Sequence, residues 1–309
     1  MPAGARHKPQ TVMLTLWIVS DGKPGHRNQS LGLAEAIGRL EPAHIEVIEL
    51  AGGLLGRLGA ALAAGARLPR PDVVIGAGHG THLPLLALGW KFGAPTVVMM
   101  RPSLPVSWFD VCLVPRHDLK TRRAAKNVIP TVGALNRIVP TVGPRRPEGV
   151  FLIGGPQPAD LPVLLDAVAN IAAANPGLTW KLTDSRRTPA GFLTTLRLSG
   201  LPIEVHAHGA TAGDWLPGEL AGASEVWVTP DSVSMMHEAL SCGARVGLLP
   251  CAHTVLAPRL AGALDQLRAD GLLGDFARWQ KFRILAAPDH PLAEADRCAR
   301  LVVARLGLV

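Results

Sequence analysis

The sequence predicts an α/β protein with two domains, each built around a parallel, doubly wound sheet. Its 309 residues exceed the usual length of one domain and suffice to bury two cores. Short apolar strands, polar or glycine-rich loops and helices follow one another in that order along the chain. A segment rich in Pro, Gly and Arg, residues 140–149, interrupts this order, and the pattern then restarts.

The first half contains runs of continuous apolar residues, which are typical of strands buried on both faces of a parallel sheet. Strands are predicted at residues 14–19, 44–50, 71–75, 95–100 and 111–114. Helices are predicted at residues 28–40 and 81–92, and residues 52–67 are predicted to form a helix or a helical hairpin. We expect residues 1–143 to form the N-terminal domain.

The second half repeats the same alternation. Strands are predicted at residues 150–153, 178–183, 203–206, 225–229 and 245–249. Helices are predicted at residues 162–174, 190–198, 233–242 and 292–306. We expect residues 144–309 to form the C-terminal domain. The loops that follow the strands of a parallel sheet meet at one edge, so the ligand-binding residues should lie there.

The composition and net charge of the chain limit the kinds of ligand that it is expected to bind. Apolar residues make up 48% of the chain and charged residues 18%, as in folded globular proteins. The net charge of +7 and the pI of about 9.7 are explained equally well by solubility and by attraction for anions such as nucleotides or phospholipids. Only 4% of the residues are aromatic and none is tyrosine, so no nucleic-acid partner is expected.

The spacing of the cysteines and the hydropathy of the chain predict whether the protein binds a structural metal and where in the cell it is found. The four cysteines form no Cys-x-x-Cys pair, so neither a structural zinc site nor disulfides are expected. No segment has the length and apolarity of a transmembrane helix, and the first apolar run lacks the features of a signal peptide. We therefore expect a cytoplasmic protein and leave open a peripheral contact with the inner face of the cytoplasmic membrane.

The loop after the first predicted strand, residues 20–26, joins that strand to a helix. It lacks the spacing of a dinucleotide-binding or Walker A motif. Its glycines, among them Gly25, and the helix start favour an anion or a substrate, and Lys23 lies in the same loop. His26 is a candidate general base. A simple turn with a surface histidine explains the loop equally well.

The loop after the third predicted strand, residues 76–82, is a second candidate. Gly78 and His79 are expected to form a backbone cradle for a substrate, with Thr81 as the cap of the next helix. A purely structural turn is the alternative. His79 and His82 have a spacing that could hold a metal, but no third ligand lies nearby, so no metal is expected.

Two loops of the second half carry donors for phosphate. Gly154 and Gly155 follow a strand, where the absence of side chains would let a phosphate approach the backbone. Ser185, Arg186 and Arg187 lie between a strand and a helix and offer hydroxyl and guanidinium donors. A solvated loop is the alternative for the second group.

Residues 229–239 form the strongest predicted segment. Asp231 or Ser232 is expected to cap the following helix and leave backbone N–H groups, near Ser234, for a phosphate. Glu238 falls about two turns into that helix. Its carboxylate could accept hydrogen bonds from two ribose hydroxyls. Helix capping alone would explain Asp231 and Ser232 but not Glu238.

Residues 21–30, 185–189 and 229–235 resemble the bacterial relatives of the plant elongated-mitochondria fission protein, a family described as glycosyltransferases. The resemblance implies the GT-B fold: two Rossmann-like domains facing a cleft, a nucleotide-sugar site in the C-terminal domain and a last helix that returns to the N-terminal domain. It also implies that the N-terminal domain is on the acceptor side, with the acceptor-side residues Lys23, Gly25, Gly78, His79 and Thr81. More distantly, the pattern is similar to the murein-precursor glycosyltransferase. There His26 matches a histidine that follows a glycine-rich loop, and Glu238 matches a ribose-binding glutamate. Because the first loop here is not purely glycine-rich, Asp21 competes with His26 as the base.

The resulting hypothesis is an inverting, metal-independent glycosyltransferase without a cofactor. It would transfer a sugar from a nucleotide-sugar to an envelope or lipid-linked acceptor. The basic charge and the apolar residues 90–108 favour contact with an anionic membrane. One alternative is a nucleotide-sugar epimerase, with His79, His82 and Asp118 as acid and base. Another is a non-catalytic protein that binds partners through the same fold.

Overall fold

A computed structural model describes residues 13–119, 125–141, 143–211, 214–288 and 290–308. Within these residues the chain forms two compact units. The first unit comprises residues 13–114, 125–130 and 295–308, and the second comprises residues 115–119 and the described residues from 131 to 294. Residues 131–143, assigned above to the N-terminal domain, thus group with the second unit. Ile138 lies in the core of that unit, and Asn136 donates to the Ser241 hydroxyl at 3.0 Å.

Strands and helices alternate through both units. The strands are β1 (Leu14–Ser20), β2 (Ala43–Glu49), β3 (Val73–Ala77), β4 (Thr96–Met99), β5 (Val111–Pro115), β6 (Val128–Thr131), β7 (Glu148–Leu152), β8 (Thr179–Thr183), β9 (Ile203–His206), β10 (Glu225–Val228), β11 (Arg245–Leu248) and β12 (Gly274–Asp275). The helices are α1 (Pro24–Leu40), α2 (Leu54–Gly65), α3 (His82–Phe92), α4 (Leu161–Ala174), α5 (Phe192–Leu198), α6 (Trp215–Gly222), α7 (Val233–Cys242), α8 (Pro258–Ala269), α9 (Phe276–Phe282) and α10 (Glu294–Leu306).

The first unit is built on a six-stranded sheet in the order β2-β1-β3-β4-β5-β6. The strand pairs from β2 to β5 are parallel. The apolar runs of β1, β3 and β4 are buried along nearly their whole length, because helices cover both faces of such a sheet. Trp17 of β1 is fully buried and packs edge-on against Phe92, with ring centroids 4.9 Å apart.

The second unit contains a parallel six-stranded sheet in the order β12-β11-β10-β7-β8-β9. One core cluster packs α6, α7 and α8 against one face of this sheet. The other cluster packs α4, α5 and α9 against the opposite face and includes Phe151 and Trp180, which stack at 4.5 Å. Helices on both faces of a parallel sheet define a Rossmann-like unit.

Each sheet has one point at which its strand order reverses. In the first sheet the chain moves from β1 to β2 and then returns to place β3 on the other side of β1. In the second sheet it moves from β7 through β8 to β9 and then places β10 beside β7. Helices leave in opposite directions at such a switch point, so a crevice opens beyond the carboxyl ends of the two central strands.

Several elements differ from those predicted. Helix α1 begins at Pro24 rather than at residue 28, since proline fits the first position of a helix. Residues 54–65 form one helix, not a hairpin. The strands β6 and β12 and the helices α6, α8 and α9 had not been assigned. Thr81 precedes α3 but makes no capping hydrogen bond, because its hydroxyl donates to the Gly78 carbonyl at 2.8 Å.

The last helix, α10, packs with the first unit, as the resemblance implied. Its Asp296 pairs with Arg39 of α1. Arg297 donates to the Pro130 carbonyl at 2.6 Å. Cys298 and Val302 are fully buried. Among the described residues, no helix is both long and apolar enough to cross a membrane.

Candidate functional site

The first unit brings two predicted loops together at its switch point. Strands β1 and β3 are neighbours, so the loop after β1 and the loop after β3 lie side by side. Asp21 begins the first loop, and His26 occupies the third position of α1. Gly78 and His79 lie in the second loop, directly before α3. Residues of two loops that are about 50 positions apart in sequence therefore share one crevice.

Asp21 and His26 form a hydrogen-bonded pair. The Nδ1 atom of His26 lies 3.0 Å from each carboxylate oxygen of Asp21. The Asp21 side chain is only 3% exposed, whereas that of His26 is 18% exposed. Because a carboxylate only accepts, it holds the proton on Nδ1 and leaves Nε2 as the atom that can meet a substrate. Within the described part of the chain, Nε2 has no hydrogen-bond partner.

Gly78 fixes the position of the His26 ring. Its backbone has a φ of +85°, and a Cβ at this position would lie 2.2 Å from Cε1 and 2.3 Å from Nδ1 of His26. A side chain there would displace the imidazole, so glycine is required both for conformation and for space. The neighbouring Gly80 similarly lies against Arg57 and the Cβ of Asp21.

The other predicted acceptor-side residues lie around this pair. Lys23 is exposed, and its Nζ atom is 3.9 Å from the nearer Asp21 oxygen. Gly25 is in the first turn of α1, where a Cβ would meet no other atom within 4 Å. His79 is exposed, 5.7 Å from the ring of buried His82. Burial and then the charge of His79 lower the pKa of His82.

The second unit brings its predicted loops together in the same way. The loops after β7 and β10 meet at the switch point, where Gly154 N–H donates to the Thr229 hydroxyl at 2.8 Å. Gly155 N–H donates to the Asp231 carboxylate at 2.7 Å. The loop after β8 joins them through Arg187, whose guanidinium lies 3.1 Å from the same Asp231 oxygen. We call these three loops the second-unit cluster.

Ser185 and Thr188 tie the β8 loop to the β7 loop. The hydroxyls of both residues donate to the Gly154 carbonyl, at 2.9 Å and 2.5 Å. The Ser185 hydroxyl also accepts from the Arg187 backbone N–H at 3.1 Å, which fixes the backbone of that arginine. Arg186 is exposed and forms no ion pair with another described residue. The loop therefore presents two cations, of which only one is anchored.

The two glycines after β7 face the protein's own side chains. A Cβ on Gly154 would lie 2.7 Å from both Asp231 carboxylate oxygens, and one on Gly155 would lie 2.6 Å from the Arg187 Cβ. The space that we expected a phosphate to use at these positions is thus occupied by the loops after β10 and β8. The glycines let the cluster close, and Arg186 and Arg187 are the exposed donors beside it.

The start of α7 differs from the expected cap. Ser232 occupies the position before the helix and is buried, yet neither it nor Asp231 makes a capping side-chain hydrogen bond. Asp231 instead accepts from Gly155 and pairs with Arg187. Its side chain is 9% exposed, and its Oδ1 atom is buried without a partner among the described residues. The first N–H groups of α7 therefore keep the partial positive charge of a helix start.

Ser234 and Glu238 lie one turn apart on α7. Residues four apart lie on the same face of a helix. Ser234 is exposed and Glu238 is half-buried. This face begins beside the second-unit cluster, and Glu238 lies about 9 Å along the helix axis from Ser232.

Two further Asp–His pairs lie at the carboxyl edge of the second sheet. Asp160 accepts from the His253 N–H at 2.8 Å and lies 3.0 Å from its Nδ1. Asp184 accepts from the His208 N–H at 2.7 Å and lies 3.1 Å from its Nδ1. Burial would raise the pKa of Asp160, but hydrogen bonds from Thr254 and then His253 hold that pKa below its usual value. The partners are 93 and 24 residues apart, so no local spacing could have identified them.

Metal binding finds no support in the geometry that the structure describes. No group of three or more His, Cys, Asp and Glu side chains among these residues is arranged to hold a metal ion. Cys251 lies near the second-unit cluster, and burial, followed by the charges of Asp160 and Asp231, raises the pKa of its thiol to about 12. A thiol with that pKa is a poor nucleophile at neutral pH.

Comparisons with known proteins confirm the family and the fold class. A family model described as Mitochondrial fission ELM1 matches residues 24–306. No curated protein sequence matches the chain. The predicted resemblance is therefore confirmed by the family model.

Solved structures are similar over nearly the whole chain. A Listeria monocytogenes protein described as a candidate UDP-N-acetylglucosamine 2-epimerase is 11% identical, with a TM-score of 0.59, covering 96% of this chain and 98% of that one. The UDP-GlcNAc 2-epimerase of Neisseria meningitidis, bound to UDP-GlcNAc, is 12% identical, with a TM-score of 0.55 over 96% and 100%. The glycosyltransferase SnogD of Streptomyces nogalater is 15% identical, with a TM-score of 0.51 over 96% of each chain. At these identities the likeness shows the fold alone, and it confirms the GT-B-like class.

Substituting Gly78 by Ala tests whether this glycine positions His26. We expect a loss of stability of about 2–4 kcal/mol, from positive φ and from overpacking against the imidazole. Gly22→Ala is the matched control, because Gly22 also has a positive φ, +77°, but no atom within 4 Å of its Cβ position. Urea unfolding measures both free energies, and the added variant His26→Ala should recover part of the Gly78→Ala loss. Equal losses for the two glycine variants would contradict the packing role.

Proposed function

The chain belongs to the mitochondrial fission ELM1 family, and we propose that it is a glycosyltransferase that takes its sugar from a nucleotide-sugar. The proposal rests on the side chains that lie at the two switch points, where the strand order of each sheet reverses. One holds an imidazole oriented by a buried carboxylate, and the other holds anchored cations beside a helix start. A base and a diphosphate site are the two groups that an inverting sugar transfer needs.

The second-unit cluster is suited to the donor diphosphate. Arg187 is fixed at its backbone by Ser185 and at its guanidinium by Asp231, while Arg186 extends into solvent beside it. The first N–H groups of α7 add a second source of positive charge. Glu238 is placed to accept hydrogen bonds from the ribose. Cations and helix dipoles neutralise the leaving diphosphate in this proposal, so the transfer requires no metal.

The Asp21–His26 pair supplies the base. As the acceptor hydroxyl attacks the anomeric carbon, Nε2 of His26 takes its proton. The new carbon–oxygen bond forms while the bond to the diphosphate breaks, and the nucleoside diphosphate leaves with the bonding electrons. Asp21 is too buried to reach an acceptor, so its role is to orient the ring and stabilise the imidazolium that forms.

One groove of the first unit has a composition suited to contact with an anionic membrane surface. A groove of about 720 Å³ is lined by Trp90 and Trp108, which are 89% and 56% exposed. Exposed Lys91 is next to the first tryptophan, and Arg70 donates to the Phe92 carbonyl at 2.9 Å. Tryptophan with flanking cations is the composition that binds at an anionic membrane surface. We propose that this groove contacts anionic lipid.

Thermal stabilisation by nucleotides tests donor binding. We expect one of UDP, GDP or dTDP, and its matching nucleotide-sugar, to stabilise the protein by about 2.7 kcal/mol at ~100 times its dissociation constant. Arg187→Gln should weaken that ligand by about 10- to 100-fold, since it removes a charge-assisted hydrogen bond. Arg300→Gln, an exposed arginine of α10, is the control and should bind normally. Stabilisation by none of these compounds would favour a non-catalytic protein.

Substitutions at His26 and Asp21 test which of these two residues is the general base. We expect His26→Gln to keep donor stabilisation but to lose transfer by about 100-fold or more. Asp21→Asn should reduce the transfer activity less, because it disturbs the orientation of the His26 ring but keeps the imidazole. The readout is release of nucleoside diphosphate from the stabilising nucleotide-sugar, with and without a bacterial lipid extract. A larger loss in Asp21→Asn would make Asp21 the base, and epimerised donor without any acceptor would favour the epimerase alternative.

Vesicle flotation tests the membrane surface. We expect the protein to float with phosphatidylglycerol vesicles at low salt and not with phosphatidylcholine vesicles, since the attraction is electrostatic. The double variant Trp90→Ser, Trp108→Ser should lose flotation, and Val255→Ser, an exposed apolar residue of the second unit, should retain it. Flotation that is absent, or unaffected by the tryptophan variant, would contradict the proposed surface.

A further inference from the structure

A cavity in the second unit lies apart from the second-unit cluster. Its volume is about 400 Å³, within the range of small-molecule sites. Its walls come from the residues after β5, from the end of β6 and the turn after it, from α7 and from α8. All of these residues belong to the second unit. The proposed function above gives this cavity no role.

His237 provides a hydrogen-bond acceptor in the cavity wall. Its side chain is buried, and its Nδ1 lies 2.8 Å from the Val233 carbonyl. A carbonyl only accepts, so the proton is on Nδ1. Burial, the largest cause, lowers the pKa of His237 and keeps the ring neutral at pH 7. The Nε2 lone pair has no donor among the described residues, so it is available to a donor group of a ligand in the cavity.

Close packing holds the His237 ring in place. A Cβ on Gly133, which has a φ of +74°, would lie 1.6 Å from the Nε2 atom. Only glycine therefore fits beside the ring, and the turn after β6 lies directly against it. The Thr131 hydroxyl donates to the Gly133 carbonyl at 2.8 Å and fixes that turn. The acceptor atom is thus held rigidly at the cavity wall.

The other end of the cavity is rich in hydrogen-bond donors. Arg116 and Arg259 both line it, and Arg259 lies 3.7 Å from Asp118, which orients its guanidinium. Arg259 is in the first turn of α8, a helix of 12 residues that no side chain caps. The remaining wall also contains the polar side chains of His117, Gln266 and Asp270. The rest of it is largely apolar and includes Val132 and Leu267. An occupant would therefore need a hydroxyl to donate to His237, oxygens to accept from the arginines and an apolar C–H face.

A sugar ring has these three properties. Helix α7 also connects the cavity to the proposed diphosphate site, because Ser232 precedes this helix and His237 lies on it. The two positions are separated by about 7–8 Å along the helix axis. That separation is compatible with one nucleotide-sugar whose diphosphate lies at the start of α7.

We propose that this cavity receives the sugar of the nucleotide-sugar donor, with His237 accepting a hydrogen bond from a sugar hydroxyl. This inference rests on the proposed function. It assigns the selectivity for the sugar to His237, Arg116 and Arg259, and the affinity for the nucleotide to the second-unit cluster.

Filling the cavity tests the assignment. Gly262 of α8 lines the cavity, and a Cβ there meets no atom within 4 Å, so Gly262→Trp directs a large side chain into open space. Gly218→Trp is the matched control, since Gly218 is an exposed glycine of α6 with the same open surroundings and lies outside the cavity. Calorimetric titration with the stabilising nucleoside diphosphate and with its nucleotide-sugar measures both affinities in each variant.

We expect Gly262→Trp to weaken the nucleotide-sugar by at least about tenfold while leaving the nucleoside diphosphate within about twofold, and Gly218→Trp to change neither. Unchanged binding of the nucleotide-sugar in Gly262→Trp would overturn the inference and leave the proposed function standing. Equal weakening of both ligands would also overturn it, because the cavity would then hold the nucleotide. If the wild-type protein bound neither ligand, the proposed function itself would fail.

Discussion

The parallel arrangement of strands is the constraint on which both candidate sites depend. Parallel strands place all their carboxyl ends at one edge, and the reversal of strand order opens a crevice there. In the first unit this brings Asp21, His26 and Gly78 together from loops that are distant in sequence. In the second unit it joins three loops through Asp231. Neither group would exist if the strands were paired antiparallel with short hairpins.

Buried aspartates organise the polar side chains at these edges. Asp21 orients His26, and Asp231 holds Arg187 while accepting from the Gly155 N–H. In both places the carboxylate is nearly inaccessible, and its partner is the group that faces solvent. Hydrogen bonds and ion pairs stabilise a carboxylate that is withdrawn from water, and the partners of Asp21 and of the Asp231 Oδ2 atom fix the geometry around them. This arrangement leaves an oriented imidazole in one unit and a paired guanidinium in the other.

The sequence predicted most of the architecture, because buried parallel strands appear as short apolar runs followed by polar loops. It missed α8, although Leu260, Leu264 and Leu267 have helical spacing and Pro258 fits a first position. The loops were predicted at the correct positions in the sequence, but some of the contacts predicted for their side chains were wrong. Capping by Asp231 was wrong because a long-range partner, Gly155, competes for its carboxylate. Contacts of this kind follow from the folded sheet, and local spacing carries no signal for them.

A crystal structure with the stabilising nucleoside diphosphate tests the central claim most directly. The account predicts the diphosphate beside the first turn of α7, with an oxygen within hydrogen-bond distance of the Arg187 guanidinium and a ribose hydroxyl on Glu238. The His26 Nε2 atom should remain free for an acceptor. Density for the nucleotide away from the switch point of the second unit, or none under conditions that stabilise the protein, would contradict it.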